Sequence, residues 1–358
     1  MIFNVYQRKT GIMGDIMVKK SGRVTIKSIA EELGISFSTV AKALNDDPVI
    51  RQETRELVQN KAKEMNYTRN YFAQGLRQKG SKTVAIILNE IDIPAYGEMI
   101  AMISADLAEH GYTTLISDSR YSEEAERSCI ETVLTRMPEA VIISPANPES
   151  PNMQLLNSLQ SNTLILGELD SSSKANTLAV GHRRAGYLSA QHMLSYGNRR
   201  NLIFCGPQEF QSSRLFYQGV LDAYAEKGLS LCDDDVFWFK PGEQRSAKQF
   251  TRIWTERHGE IDGVICFCDS MAFGIYRAAL QLGLRIPDDI SVIGYDDSSL
   301  NDFSSPPLTT IHMPKDLVAQ YCSRFVLDRL IHGSTEKFSF VLEPTLVERS
   351  SVASRPGV

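Results

Sequence analysis

The chain has 358 residues, 42% of them hydrophobic, with a formal net charge of −5. That length supports one small domain plus one or two larger ones, and no run of about 18 apolar residues is present to span a membrane. The six cysteines (Cys129, Cys205, Cys232, Cys266, Cys268 and Cys322) are scattered, so buried thiols are expected rather than a disulfide framework or metal site, and no cofactor is implied.

Charge divides the chain. Residues 1–80 carry 14 Lys/Arg against 8 Asp/Glu, and residues 81–358 carry 24 against 35. A basic N-terminal part on an acidic remainder points to a polyanion met by the N-terminal part alone. Residues 1–22 are polar, aperiodic and unlike a secretory leader, and they contain Met13 and Met17 as alternative starts. A disordered leader and a cytoplasmic protein are expected.

Residues 23–66 predict three short helices. In Ile26–Leu33, Ile26, Ile29, Ala30 and Leu33 share one face, and Gly34 supplies a left-handed stop. Ser36 is the N-cap of a second helix, Phe37–Asn45, which buries Val40 and Leu44. After the turn cluster Asn45–Pro48, a third helix over Gln52–Asn66 is expected to bury Leu57, Val58, Ala62 and Met65. Residues 67–81 form a linker. From Thr83 the pattern alternates short apolar strands with amphipathic helices, which means parallel sheets covered on both faces. About 275 residues of this pattern exceed one sheet and predict two lobes.

Two short helices across a glycine turn form a helix-turn-helix. Ala30 lets the helices cross, and Ile35, Val40 and Leu44 dock the second one. Phe37, Ser38, Ala41 and Lys42 then point outward toward a major groove. Lys42 can donate to guanine, Ser38 to several acceptors, and Phe37 can meet a thymine methyl or a sugar. Thr39, Asn45, Arg51, Thr54 and Arg55 are placed for phosphates. An amphipathic helix pair by itself serves equally well as plain core, so the motif alone leaves DNA binding at even odds.

The stretch Val24-Thr-Ile-Lys-Ser-Ile-Ala-Glu-Glu-Leu-Gly-Ile-Ser-Phe-Ser-Thr-Val-Ala-Lys-Ala-Leu-Asn45 resembles the N-terminus of the lac repressor/gal repressor family. Glu53-Thr-Arg-Glu56 and Asn66-Tyr-Thr-Arg-Asn-Tyr-Phe-Ala-Gln-Gly-Leu76 match its third helix and hinge, and Val292–Asp297, Pro306–Ile311 and Leu346–Ser350 follow in the family's order. The resemblance covers about 330 residues, an ordered set beyond chance. It implies a small all-α helix-turn-helix DNA-binding domain at 23–66 and a hinge at 67–81, with a hinge helix about 70–78. It also implies an α/β two-lobed domain at 82–358, like periplasmic binding proteins, for effector binding and dimerisation. The lobes are expected at about 82–180 with 313–336, and at about 181–311 with 338–352. The DNA set carried over by motif adds Thr25, Tyr67, Asn70, Ala73, Gln74 and Leu76. Leu76 stands where the family wedges a leucine into the minor groove. Arg69 and Gly75 depart from the family's hinge and make its ordering costlier.

The two-lobed fold binds small molecules between lobes, at the carboxyl ends of strands. The resemblance brings Tyr96, Phe239, Asp269 and Asp296 to that cleft. Three family positions have changed: an arginine has become Phe216, with Arg214 nearby, an Asp-Asn pair has become Gly181-His182, and an asparagine has become Cys268. These changes imply an effector less hydroxyl-rich than a hexose, or no ligand of the usual kind, and His182 is a pH sensor, a ligand contact or an incidental loop residue. Asp297 is expected to be a surface or helix-capping group.

No G-x-S-x-G, P-loop, H-E-x-x-H or G-x-G-x-x-G is present to support an enzyme, and the attached helix-turn-helix argues against a transport-binding protein. The expected function is a transcriptional regulator, a repressor by family habit. Its partners would be a double-stranded DNA operator, a second copy of itself and a small-molecule effector (sugar-like or another metabolite), with a protein corepressor, or no small effector, as the alternative to the last.

Overall fold

The computed structural model describes residues 24–67, 80–169, 173–257 and 259–355. The leader and the hinge residues Asn70, Ala73, Gln74 and Leu76 lie outside the described residues. The chain divides into two compact units, residues 1–73 and 74–358.

The first unit holds α1 (Ile26–Leu33), α2 (Phe37–Leu44) and α3 (Gln52–Glu64). Thr25 opens α1 in a reciprocal cap with Ser28: its hydroxyl accepts the Ser28 N–H, and the Ser28 hydroxyl accepts the Thr25 N–H at 2.8 Å. Gly34, at φ +65°, closes α1 by donating to the Ala30 carbonyl. Two residues later the Ser36 hydroxyl accepts from Thr39 N–H at 3.0 Å and starts α2. The helices pack through Ile29, Ala30, Val40, Ala43, Leu44, Val58 and Ala62. Leu57, expected in that core, is 53% exposed. The buried stripe of α3 passes through Val58 and Ala62, four residues apart, and Leu57 lies 100° away from it.

The second unit contains two six-stranded sheets. The N-lobe sheet joins β1 (Thr83–Leu88), β2 (Thr113–Asp118), β3 (Ala140–Ile143), β4 (Thr163–Leu166), β5 (Asn176–Val180) and β11 (Ser339–Leu342), in spatial order β11-β5-β4-β3-β1-β2, all parallel. The C-lobe sheet joins β6 (Asn201–Cys205), β7 (Val236–Trp238), β8 (Gly263–Cys266), β9 (Ser291–Asp296), β10 (Thr309–His312) and β12 (Thr345–Val347), in order β12-β10-β9-β8-β6-β7. Only β12 runs antiparallel, against β10. The sequence-based lobe boundary near 338 is therefore corrected. Segment 339–342 pairs with β5 in the N-lobe, and the chain returns to the C-lobe only for β12. Both strands are short, largely exposed and at sheet edges, and only long-range pairing makes them strands.

Side chains alternate between faces along each strand. Val84, Ile86 and Leu88 pack beneath α4 (Pro94–Glu109) and α10 (Lys315–Leu330), whereas Ala85 and Ile87 face α5 (Glu123–Leu134). In the C-lobe, Ile203 and Cys205 face α6 (His182–Ser195) and α7 (Gln211–Glu226). Leu202 and Phe204 face α8 (Glu243–Arg257) and α9 (Asp269–Leu282).

The α6–α7 crossing is unusually close because both contact positions are glycine. A Cβ on Gly186 would sit 1.9 Å from the Phe216 carbonyl oxygen, and one on Gly219 would sit 1.8 Å from that of Arg183. Backbone cannot yield as a side-chain tip can, so Gly219→Ala must push the helices apart. We expect it to cost about 1–3 kcal/mol, the range for overpacking, read as a lowered unfolding midpoint in urea.

Candidate functional site

Two candidate surfaces follow from this architecture. On the first unit, α2 presents Phe37 (48% exposed), Ser38 and Lys42 to solvent, with Asn45 exposed at its C-terminal end. Among the described residues, neither Lys42 nor Arg51 has an ion-pair partner, whereas Lys61 is tied to Glu32 and Glu64 and braces α3 on α1. Ala41, expected outward, is buried at 8% exposure. It sits one residue from Val40, at the rim of the docking face, where flanking side chains cover its single methyl. Thr25 and Thr39 are taken up in the caps described above. Thr54 and Tyr67 are half-buried. Arg55 is half-buried and donates to the Asp46 carbonyl at 3.1 Å, fastening the turn between α2 and α3.

The second surface is the cleft between the lobes. Contacts across it are specific. Tyr121, just after β2, packs edge-on against Phe210, just before α7, with ring centroids 4.8 Å apart. Lys240 donates to the Arg120 carbonyl at 3.1 Å. Glu98 on α4 accepts the Ser299 hydroxyl at 2.6 Å and pairs with Lys315 at 2.6 Å. Burial opposes ionisation of Glu98, but these donors hold its carboxyl below the usual range.

Four of the eight expected cleft residues converge. Tyr96 and His182 line a cavity of about 60 Å³ closed by Leu88, Met99, Leu166 and Met313. Asp296, at φ +129° and 8% exposed, and Cys268, 3% exposed, lie on the C-lobe side and act electrostatically on Tyr96. His182 is held by the Tyr295 hydroxyl, 3.0 Å from Nδ1, and burial lowers its pKa to about 4, so the ring is neutral at pH 7. The cavity holds about two waters, so a ligand of hexose size needs the lobes to part.

The other four are used elsewhere. The Asp269 carboxylate, 1% exposed, accepts from Ser298 N–H at 2.8 Å, Asn301 Nδ2 at 2.8 Å and the Thr310 hydroxyl at 2.6 Å. Those bonds occupy it, which corrects the expectation that it meets a ligand. Arg214 folds back on the Gln208 and Glu209 carbonyls. Phe239 follows the end of β7 and packs on Phe204 at 5.2 Å, in the core toward α8 and α9. Phe216, fully buried, stacks on Tyr295 at 6.0 Å and meets Phe267 edge-on at 5.5 Å, making an aromatic wall behind His182 rather than a ligand contact. Asp297, expected as a surface or helix-capping group, is instead half-buried and tied to two other stretches of chain. It accepts from His312 Nδ1 and Arg349 Nη2, each at 2.9 Å.

Motif reasoning missed Glu90, which follows β1 where the strand's carboxyl end enters the cleft. Burial first, then nearby Asp92, raises its pKa to about 7. Position was the available signal, since strand ends bear ligand residues in such sheets.

A helix-turn-helix unit and a two-lobed parallel-sheet unit in one chain define the class of DNA-binding transcriptional regulators built on a binding-protein fold. Comparison with known proteins agrees with that class. Residues 25–70 match the model for bacterial regulatory proteins of the lacI family, and residues 178–352 match a periplasmic binding protein-like domain. The HTH-type transcriptional repressor PurR of Pasteurella multocida (strain Pm70) is 27% identical over 334 residues, 92% of this chain and 99% of its own length. Its counterpart in Klebsiella pneumoniae (strain 342) is 26% identical over 93% of this chain and 98% of its own. Among solved structures, the lac repressor dimer bound to operator and an anti-inducer aligns with a TM-score of 0.74 and 25% identity, covering 93% of this chain and all of that one. A regulator from Silicibacter pomeroyi reaches 0.80 at 22% identity, covering 92% and 99%. Residues 25–70 form a lacI-family DNA-binding domain, and along its length the chain is similar to that family's transcriptional regulators. Its relatives are regulators rather than enzymes. Among the described residues, no helix is long and apolar enough to cross a membrane.

Two substitutions test the cleft chemistry. Asp269→Ala strands three buried donors, and at 1–3 kcal/mol for each buried group left unmade the loss should reach about 3 kcal/mol or more in denaturant unfolding. Glu90 behaves oppositely. Its folded pKa lies above its unfolded value, so stability is fully present below about pH 4.5 and declines as pH rises through about 7. Glu90→Gln should melt higher than wild type at pH 8 and no higher at pH 4.

Proposed function

We propose that this protein represses transcription by binding an approximately palindromic operator as a homodimer, with its grip on DNA set by a small metabolite held between the lobes. The observation that carries the DNA assignment is the presentation of α2. Capped at Ser36 and docked through Val40 and Leu44, it offers Phe37, Ser38 and Lys42 in a row, with no ion pair on Lys42 among the described residues. Asn45, Arg51, Thr54 and Arg55 flank that row as phosphate contacts. The hinge motif places Leu76 as the minor-groove wedge.

One such unit buries too little surface for high specificity, so two copies on adjacent half-sites supply it. The body offers apolar surface for pairing. Leu280 on α9 is 82% exposed, and Phe303 is 85% exposed on the turn that precedes the Pro306 carbonyl to which Tyr276 of α9 donates. The relatives support an effector: one structural neighbour is a regulator–cellobiose complex and another carries ribose.

The decisive experiment is selection of bound duplexes from a random pool, followed by titration of the selected site against scrambled DNA. Lys42→Ala should lose about 1–3 kcal/mol on the selected site, the worth of one good base contact, and much less on scrambled DNA. Equal losses on both would make Lys42 a phosphate contact and remove α2 as the base-reading element.

A further inference from the structure

The cleft is electrostatically one-sided. Two carboxylates face it from opposite lobes, and among the described residues neither forms an ion pair, Arg245 and Lys315 acting on them only at longer range. Asp296, 8% exposed, takes one hydrogen bond, from the Asp269 backbone N–H, and no side chain among the described residues donates to it. Among the described residues the buried Oε2 of Glu90 has no hydrogen-bond partner. The nearest positive groups have other partners too: Lys315 binds Glu98 and the Asp297 carbonyl, and Arg245, which acts on Glu90 through its charge, binds the Pro241 carbonyl. Beyond Glu90 the space between the lobes widens to a cavity of about 380 Å³, whose charged lining is Glu90, Asp92 and Glu243 against Arg245 alone. The rings of Tyr96 and Tyr121 stand beside both carboxylates and feel their field.

A carboxylate withdrawn from water without a counter-ion is strongly disfavoured, and a ligand bringing positive charge removes that penalty. Tyrosine faces attract cations as well. A phosphate or carboxylate ligand meets the reverse: three acids against the single guanidinium of Arg245 in that cavity, with the aromatic Phe216 in the place where the family carries an arginine. Neutral hydroxyls can donate to these oxygens but leave the charge uncancelled.

We propose that the molecule held in the cleft is a small organic cation, a protonated or quaternary amine whose nitrogen lies between Asp296 and Glu90 against the tyrosine rings. This assignment rests on the cleft being the effector site. Burial raises the carboxyl pKa of both acids above the ordinary range, as expected for groups lacking a counter-ion. The amine therefore favours their ionised forms when it binds, and it draws the lobes together through charges supplied by each.

The test is thermal unfolding of the full chain with matched probes at millimolar concentration: choline against its uncharged carbon isostere dimethylbutanol, and glucosamine against glucose and glucose phosphate. At least one amine should raise the melting temperature, with its uncharged counterpart about tenfold weaker, and Asp296→Asn or Glu90→Gln should weaken the amine's effect by about tenfold. Each variant removes a carboxyl whose ionisation burial already disfavours, so without probe it should melt no lower than wild type, which separates lost binding from lost folding. The proposal falls if neither amine acts, if an uncharged or phosphorylated probe matches the amine, or if the variants respond as wild type does. Tyr96→Ala then separates the two levels. An uncharged or anionic probe whose effect disappears in that variant leaves the cleft as effector site and removes only the charge class. A probe indifferent to Tyr96 removes both.

Discussion

Asp269 begins α9, and its sealed carboxylate gathers donors from two other stretches of chain, the turn at Ser298–Asn301 and strand β10 at Thr310. Burial raises its pKa and the three hydrogen bonds oppose that rise; the start of a helix favours negative charge there as well. Its neighbourhood depends on this group. Asp296 and Asp297 both sit at positive φ, a conformation that side chains other than glycine adopt only when the surroundings hold them. The Asp269 bonds fix one side of that pair, and Asp297 is held from the other by His312 and Arg349. Asp296 is thereby aimed into the cleft, where among the described residues no side chain donates to it.

The two lobes meet this fixed edge through few polar contacts. Glu98 takes Ser299 from the C-lobe and Lys315 from the segment that crosses back to the N-lobe, and Lys240 reaches the Arg120 carbonyl. Edge-to-face packing of Tyr121 on Phe210 adds an apolar contact near the rim. These are contacts that can be broken and remade, although one apolar cluster also continues from the N-lobe into the C-lobe; the clusters on the far faces of the two sheets are each confined to one lobe. Motion is therefore expected between lobes rather than within them.

Much of this was legible in advance. Cap residues and apolar spacing predict α1 and α2 to within a residue, because Thr25, Gly34 and Ser36 act through their nearest neighbours. Strands β1, β3 and β8 are apolar throughout and stand out from their flanks. Strands β11 and β12 do not, because each lies at a sheet edge and only long-range pairing makes it a strand. The site was partly legible for the same reason. Tyr96, His182, Cys268 and Asp296 follow from motif position. Whether a carboxylate faces a ligand or a ring of donors depends on residues 29 to 41 positions away, as the Asp269 bonds illustrate. Glu90 belongs to no motif, and its importance emerges only when burial is known.

The late strands also bear on synthesis. Both sheets take an edge from the final stretch of chain, β11 for one and β12 for the other, and Ser351 locks β9 to β10 by donating to the Val292 carbonyl and accepting from Thr309 N–H. Neither lobe can be completed on the ribosome until nearly the whole chain has emerged, and each must hold open edges while it waits. The helical head is contiguous and local in its contacts, so it condenses early. A nascent chain therefore carries a finished head and two unclosed sheets, and the body is the part exposed to misassembly during translation.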